Sequence, residues 1–154
     1  IMAYDGSLFH GFQSQPDGNT VQDVVEKALS ELTGENIKIT GCGRTDAGVH
    51  ALNYCFNFKS NTTIPEDSLP LALNSHLPDT ISVKSAKITH DDFHSGFSAI
   101  KKIYTYKILN SRIRNPFMRE YSWFFPAALD IERMREAASY IVGEHDFKAF
   151  MAQG

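Results

Sequence analysis

A chain of 154 residues suits one domain or slightly more, and its 42% hydrophobic and 12% aromatic content excludes a disordered chain and supplies apolar area for a core. The formal net charge of −3 means that the chain as a whole is no polyanion binder by charge, so any nucleic-acid contact has to rest on a local patch. No apolar run approaches membrane-spanning length, and the two cysteines, Cys42 and Cys55, lack metal spacing and fit a reduced, intracellular setting as small buried side chains.

In chain order, "IMAYDG" reads as the end of a strand whose beginning is missing, so the sequence is expected to be a fragment of a longer protein. The spacing of Val21, Val24, Val25, Ala28, Leu29 and Leu32 predicts a helix over 20–32, with Thr20 and Asp23 as a near capping box and Gly34 past its end. A strand over 37–40 should follow, then a glycine-rich loop. "NYCFNF" alternates, with Tyr54, Phe56 and Phe58 on one face. A proline-started helix is expected over 65–77 and a strand over 81–88. "KIYTYKIL" reads as another alternating strand, with Tyr104, Tyr106 and Ile108 sharing a face, followed by a strand over 121–125 and a helix over 130–142 that ends at Gly143. Interspersed helices and alternating strands predict an α+β fold, an antiparallel-rich mixed sheet with helices on one face.

Charge is concentrated. Residues 99–119 hold Lys101, Lys102, Lys107, Arg112, Arg114 and Arg119 without any Asp or Glu, interleaved with Tyr104, Tyr106 and Phe117. Cations contact phosphates and aromatic faces stack bases, a combination that suits RNA; a lysine-protected edge strand is the plainer alternative. The loop "GRTDAGVHA", 43–51, brings Arg44, Asp46 and His50 together among glycines that permit close approach of another molecule. In extended backbone Arg44 and Asp46 point the same way, and a cation beside the carboxylate would keep it ionised as a nucleophile or base. By residue type alone an Asx-turn, Asp46 bonding its own backbone, is the favoured reading. "HDDFH" offers His90 and His94 at metal-like spacing, but no helix pattern and no third ligand accompany them, so turn or capping roles are expected.

Five segments occur together in one order: "YDGSLFHGFQSQ", "TVQDVVEKAL", "GRTDAGVHA", "FHSGFSAIKKIYTYKI" and "GEHDFKAF". With them the chain resembles the TruA family of tRNA pseudouridine synthases over nearly its whole length. The resemblance implies the pseudouridine synthase fold, with a ferredoxin-like half carrying the nucleophile loop over 1–109 and the start of an incomplete second α/β half over 110–154. It implies a cofactor-free, metal-free isomerase that breaks the N1–C1′ bond of uridine, rotates the base and rejoins it through C5, acting on tRNA at positions 38 to 40 of the anticodon stem-loop. Asp46 matches the family nucleophile, Arg44 the arginine that pairs with it and assists entry of the flipped base, and Tyr104 the tyrosine that stacks on the target uracil. Lys101, Lys102 and Arg112 are expected on RNA. The family is cytoplasmic and homodimeric, and its members continue into a second half that completes the cleft, so this chain alone is expected to be inactive. Two departures stand out: Gly96 sits where the family usually has arginine, and Phe12 where tryptophan is more usual. The alternative function is a non-catalytic RNA-binding module, which would need the basic segment but not Asp46.

Overall fold

The computed structural model describes residues 1–16 and 18–151. The chain divides into two compact units, Ile1–Tyr104 and the remainder from Thr105.

The first unit is built on a three-stranded antiparallel sheet. Strand β1 (Met2–Tyr4) lies in the middle, flanked by β3 (Ala51–Tyr54) and β5 (Ile81–Val83). A second antiparallel pair joins β2 (Thr40–Gly41) to β4 (Phe56–Asn57). Helix α1 (Val21–Thr33) runs as its periodicity predicts. The Thr20 hydroxyl oxygen accepts from the Asp23 N–H at 3.2 Å and donates to the Asp23 carboxylate, and Gly34, left-handed at φ 72°, closes the far end on the Ser30 carbonyl. Its Val21, Val25, Ala28 and Leu29 meet Met2, Tyr4, Leu73, Ile81 and Val83 in one core.

The expected α+β character with antiparallel pairing is what forms, and the element boundaries differ for identifiable reasons. The strand expected over 37–40 is reduced to Thr40–Gly41 because α1 takes its donors. The Ile37 N–H goes to Ser30 Oγ at 3.1 Å and the Ile39 N–H to Glu26 Oε1 at 3.1 Å. Glu26 is buried, and its other oxygen accepts from Lys38 Nζ at 2.6 Å. "NYCFNF" is two strands, since the chain leaves the β1 partner after Tyr54 and joins β2 from Phe56. Helix α2 spans only Leu69–Asn74; Pro65 instead caps a preceding turn whose N–H groups come from Ser68 and Leu69. β5 stops at Val83, after which Lys84 and Ser85 both donate to the Ile1 carbonyl.

In the second unit β6 (Ile108–Asn110) and β7 (Trp123–Phe125) pair in parallel. The Asn110 side chain ties the pair to the next stretch of chain, donating to the Phe125 and Ala127 carbonyls at 2.8 and 2.6 Å. Arg114 lies over the Phe124 ring at 4.5 Å. Asp130 caps α3 (Ile131–Ser139) through the Arg133 N–H at 3.0 Å. The alternating strand expected at "KIYTYKIL" is confined to its end: among the described residues no backbone hydrogen bond holds 99–106, and Tyr104 and Tyr106 are exposed rather than aligned on a sheet face. Alternation makes a two-faced ribbon, but a ribbon becomes a strand only beside a partner.

Glu26 should matter more than its partner. We expect Glu26→Ala to lower unfolding free energy by about 1–3 kcal/mol, because it strands the Ile39 N–H away from water, and Lys38→Ala, at an exposed ammonium, to change it far less. Urea unfolding of the two variants checks the order.

Candidate active site

Most of the bonds that hold the loop 43–49 end on its main-chain atoms. Its carbonyls receive donors from two directions: Phe12 N–H on the Thr45 oxygen at 3.0 Å, and the Tyr54 hydroxyl on the Gly43 oxygen. The Gly48 N–H donates to the Phe9 carbonyl at 3.3 Å. The Thr45 hydroxyl meets the Tyr4 hydroxyl at 2.9 Å. Tyr54 itself is wedged between Phe12, stacked at 4.5 Å, and Tyr4 at 5.6 Å. The segment 5–12 therefore closes over the loop, and β1 and β3 supply the aromatic floor beneath it.

Within this frame Asp46 opens a four-residue turn. The Val49 N–H donates to the Asp46 carbonyl at 3.2 Å, and Gly48 takes the third position at φ 77°, the conformation a type II turn demands there. The turn is thus closed by backbone. Asp46 is exposed, and among the described residues its carboxylate makes no hydrogen bond and no ion pair; the Asx-turn reading is not what forms. Arg44 is also exposed, and the side-by-side pair with Asp46 is not made among the described residues. Both groups are presented outward, available to a molecule that approaches the loop.

Of the basic segment, the structure brings Lys102 to this loop. A methyl group built on Gly43 would lie 2.6 Å from Lys102 Nζ, so the ammonium rests against the residue next to Arg44. Lys101 and Lys102, with Cys42, Cys55, Ser95 and Ser98, line a cleft of about 270 Å³. Ser95 anchors this wall: it is buried, its N–H donates to Asn57 Oδ1 at 2.9 Å and its hydroxyl to the Thr40 carbonyl at 2.7 Å. His94 stacks on Phe97 at 4.1 Å and accepts the Gly96 and Phe97 N–H groups on Nδ1, the turn role expected of it. Tyr104 is exposed at the end of the first unit, and Arg112 belongs to the second. Burial pushes the Cys55 thiol and the Tyr4 and Tyr54 hydroxyls up from their usual ranges, so all three keep their protons at neutral pH.

The sequence reading missed the supports: Tyr54 as a hydrogen-bonding aromatic, Ser95 as an anchor, and the clasp of residues 5–12. The signal was present in "YDGSLFHGF", whose two glycines precede no helix and no hairpin.

The model of the tRNA pseudouridine synthase family matches residues 1–98. The whole chain is similar, at 50% identity over 154 residues, to the tRNA pseudouridine synthase A of Thermoanaerobacter sp. (strain X514), of which it covers 63%. Similarity to the proteins of that name from Caldicellulosiruptor bescii and Bacillus subtilis (strain 168) runs at 46% and 44% identity, over 96% and 98% of this chain and 60% and 62% of theirs. The chain therefore spans about three fifths of the length of these curated relatives.

The floor of the site sets two expectations. Tyr54→Phe removes the donor to Gly43 and should cost about 1 kcal/mol at neutral pH. Tyr54 has its folded value raised above the ordinary 10.0, so the unfolded chain loses its proton first. Unfolding free energy must then fall as pH rises through that ordinary value towards the folded one. Equilibrium unfolding at stepped alkaline pH should show a shallower fall for Tyr54→Phe than for the wild type.

Proposed function

Because this chain belongs to the tRNA pseudouridine synthase family, we propose that the protein carrying it isomerises uridine to pseudouridine at positions 38 to 40 of the tRNA anticodon stem-loop, with Asp46 as nucleophile. The observation that carries the reading is the separation of labour at the loop: bonds to its main chain and to the Thr45 hydroxyl hold 43–49, and the Asp46 carboxylate is left exposed and, among the described residues, uncommitted.

The chemistry fits the geometry. A uridine must be swung out of its helix before its glycosidic bond can be reached, at a cost of a few kcal/mol. Stacking on an aromatic face returns about 1–3 kcal/mol, a role for the exposed Tyr104. Arg44, two residues before Asp46, assists entry of the flipped nucleotide and steadies the carboxylate once both are desolvated by substrate. Lys101, Lys102 and Arg112 take phosphates, so that RNA is recognised by shape and backbone charge. In this reading residues 1–109 form the catalytic half and 110–154 begin a second half, whose remainder completes the cleft in a homodimer. No cofactor takes part, and the protein works in the cytoplasm.

The test uses full-length protein and tRNA, with pseudouridine scored by product analysis. Asp46→Asn should abolish turnover while leaving tRNA binding within about tenfold of wild type, since only the nucleophile is removed; pseudouridine at the wild-type rate would end the assignment. Tight binding without product from the wild-type protein would instead favour an RNA-binding module. Changing Lys101 and Lys102 to Gln should weaken binding and flatten its salt dependence, by about 0.7–0.9 in log–log slope per phosphate no longer neutralised.

A further inference from the structure

We propose that His50 and Asp5 are positioning residues for Asp46, forming a polar clasp that fixes the C-terminal side of the turn carrying it; the inference rests on the function proposed above.

The turn is anchored on its N-terminal side by Tyr54, Phe12 and the Tyr4–Thr45 hydroxyl pair. On its other side, between Val49 and β3, the anchor is His50. His50 Nδ1 lies 3.1 Å from the Gly6 N–H and 3.0 Å from Asp5 Oδ1. Asp5 in turn is fixed from both ends. Its N–H donates to the Thr80 carbonyl at 2.8 Å, and its carboxylate accepts the Ser7 N–H at 2.9 Å and the Ser7 hydroxyl. The main chains approach so closely here that a methyl group on Gly6 would lie 2.0 Å from the Val49 oxygen. One residue further on, Ala51 enters the sheet opposite Tyr4, at a place where the β1–β3 register slips. A slip of this kind leaves the sheet ladder unable to define the strand entrance alone. The side chains of Asp5 and His50 define it instead, four residues from the proposed nucleophile.

A single ring nitrogen either accepts from Gly6 or, when protonated, donates to Asp5. Either bond ties the loop to the end of β1, so the clasp needs a short polar side chain at 50 rather than a particular charge. Asparagine meets that need, because its amide reaches about as far as Nδ1 and offers both an acceptor and a donor. Alanine offers neither. A misplacement of the nucleophile by about 1 Å can cost on the order of 10²-fold in rate with binding intact, so the clasp should appear in kcat rather than KM.

The experiment takes full-length wild type, His50→Ala, His50→Asn and Asp5→Ala, and measures two things: kcat and KM for pseudouridine formation, and amide hydrogen exchange over residues 44–50. We expect His50→Ala and Asp5→Ala each to lower kcat by about 10–100-fold with KM little changed, and to speed exchange at Gly48 and Val49. His50→Asn should restore both towards wild type, and the double alanine variant should be no slower than the worse single one, as for groups that act as a unit. Equal losses in His50→Ala and His50→Asn, additive losses in the double variant, or an alanine variant with unaltered kcat would each overturn the clasp. Wild-type protein that makes no pseudouridine would overturn the proposed function instead. Exchange over 44–50 would then decide by itself whether the clasp exists, unchanged protection in His50→Ala being the result against it.

Discussion

The structure turns on the closure of one stretch of backbone over another. Residues 6–12 lie across residues 43–49, and amide–carbonyl bonds from Phe12 to Thr45 and from Gly48 to Phe9 join them. Remove that closure and the loop has no roof, Tyr54 has no neighbour in Phe12, and Asp46 has no defined place. The closure depends on the sheet, because β1 delivers the first segment and β3 receives the second. It depends on α1 as well, for the Val21 and Gln22 N–H groups bond the Gly11 and Phe12 carbonyls where the segment runs into the helix. Sheet, helix and loop thus share a single set of peptide groups, and none can be displaced without the others.

Most of the framework was legible in the sequence because it follows from local rules. Helix α1 has the apolar period, the capping threonine and the glycine stop, and all three act within a few residues of where they stand. The loop stood out in the sequence as a candidate site through its residue types in company with the other blocks. What was not legible is whatever depends on a distant partner. Glu26 takes the N–H of Ile39 across thirteen positions, so a strand pattern at 37–40 became mostly irregular chain. "KIYTYKIL" has the alternation of a strand, and only its end finds one to pair with. The fate of Asp46 was ambiguous for a related reason: an aspartate two residues before a glycine suits a side-chain turn, and the backbone closed the turn first.

The supports of the site divide into apolar and polar kinds with different uses. Tyr4 and Tyr54, with Phe12 of the covering segment stacked on Tyr54, form a buried aromatic group, and the two tyrosine hydroxyls point at the loop rather than into the core. Aromatic rings of this kind combine large buried area with a directed donor. The far wall is polar and small: Ser95 and Asn57 bind 93–98 to β2 and β4, which leaves Lys101 and Lys102 to follow into solvent beside the cleft. The two differ in what they present: the floor is buried and apolar, and the wall is open and carries two exposed ammonium groups.

The Asn74 side chain has a consequence of another kind. Its amide donates to the Val83 carbonyl at 2.9 Å and accepts the Val83 N–H at 2.7 Å, filling the outer rail of β5 from the end of a helix. Exposed rails of that sort recruit strands from neighbouring molecules and seed aggregation. A single asparagine therefore acts as a terminator at that edge: it imitates a peptide group, occupies both main-chain groups of Val83, and leaves no place there for a strand of another molecule to pair.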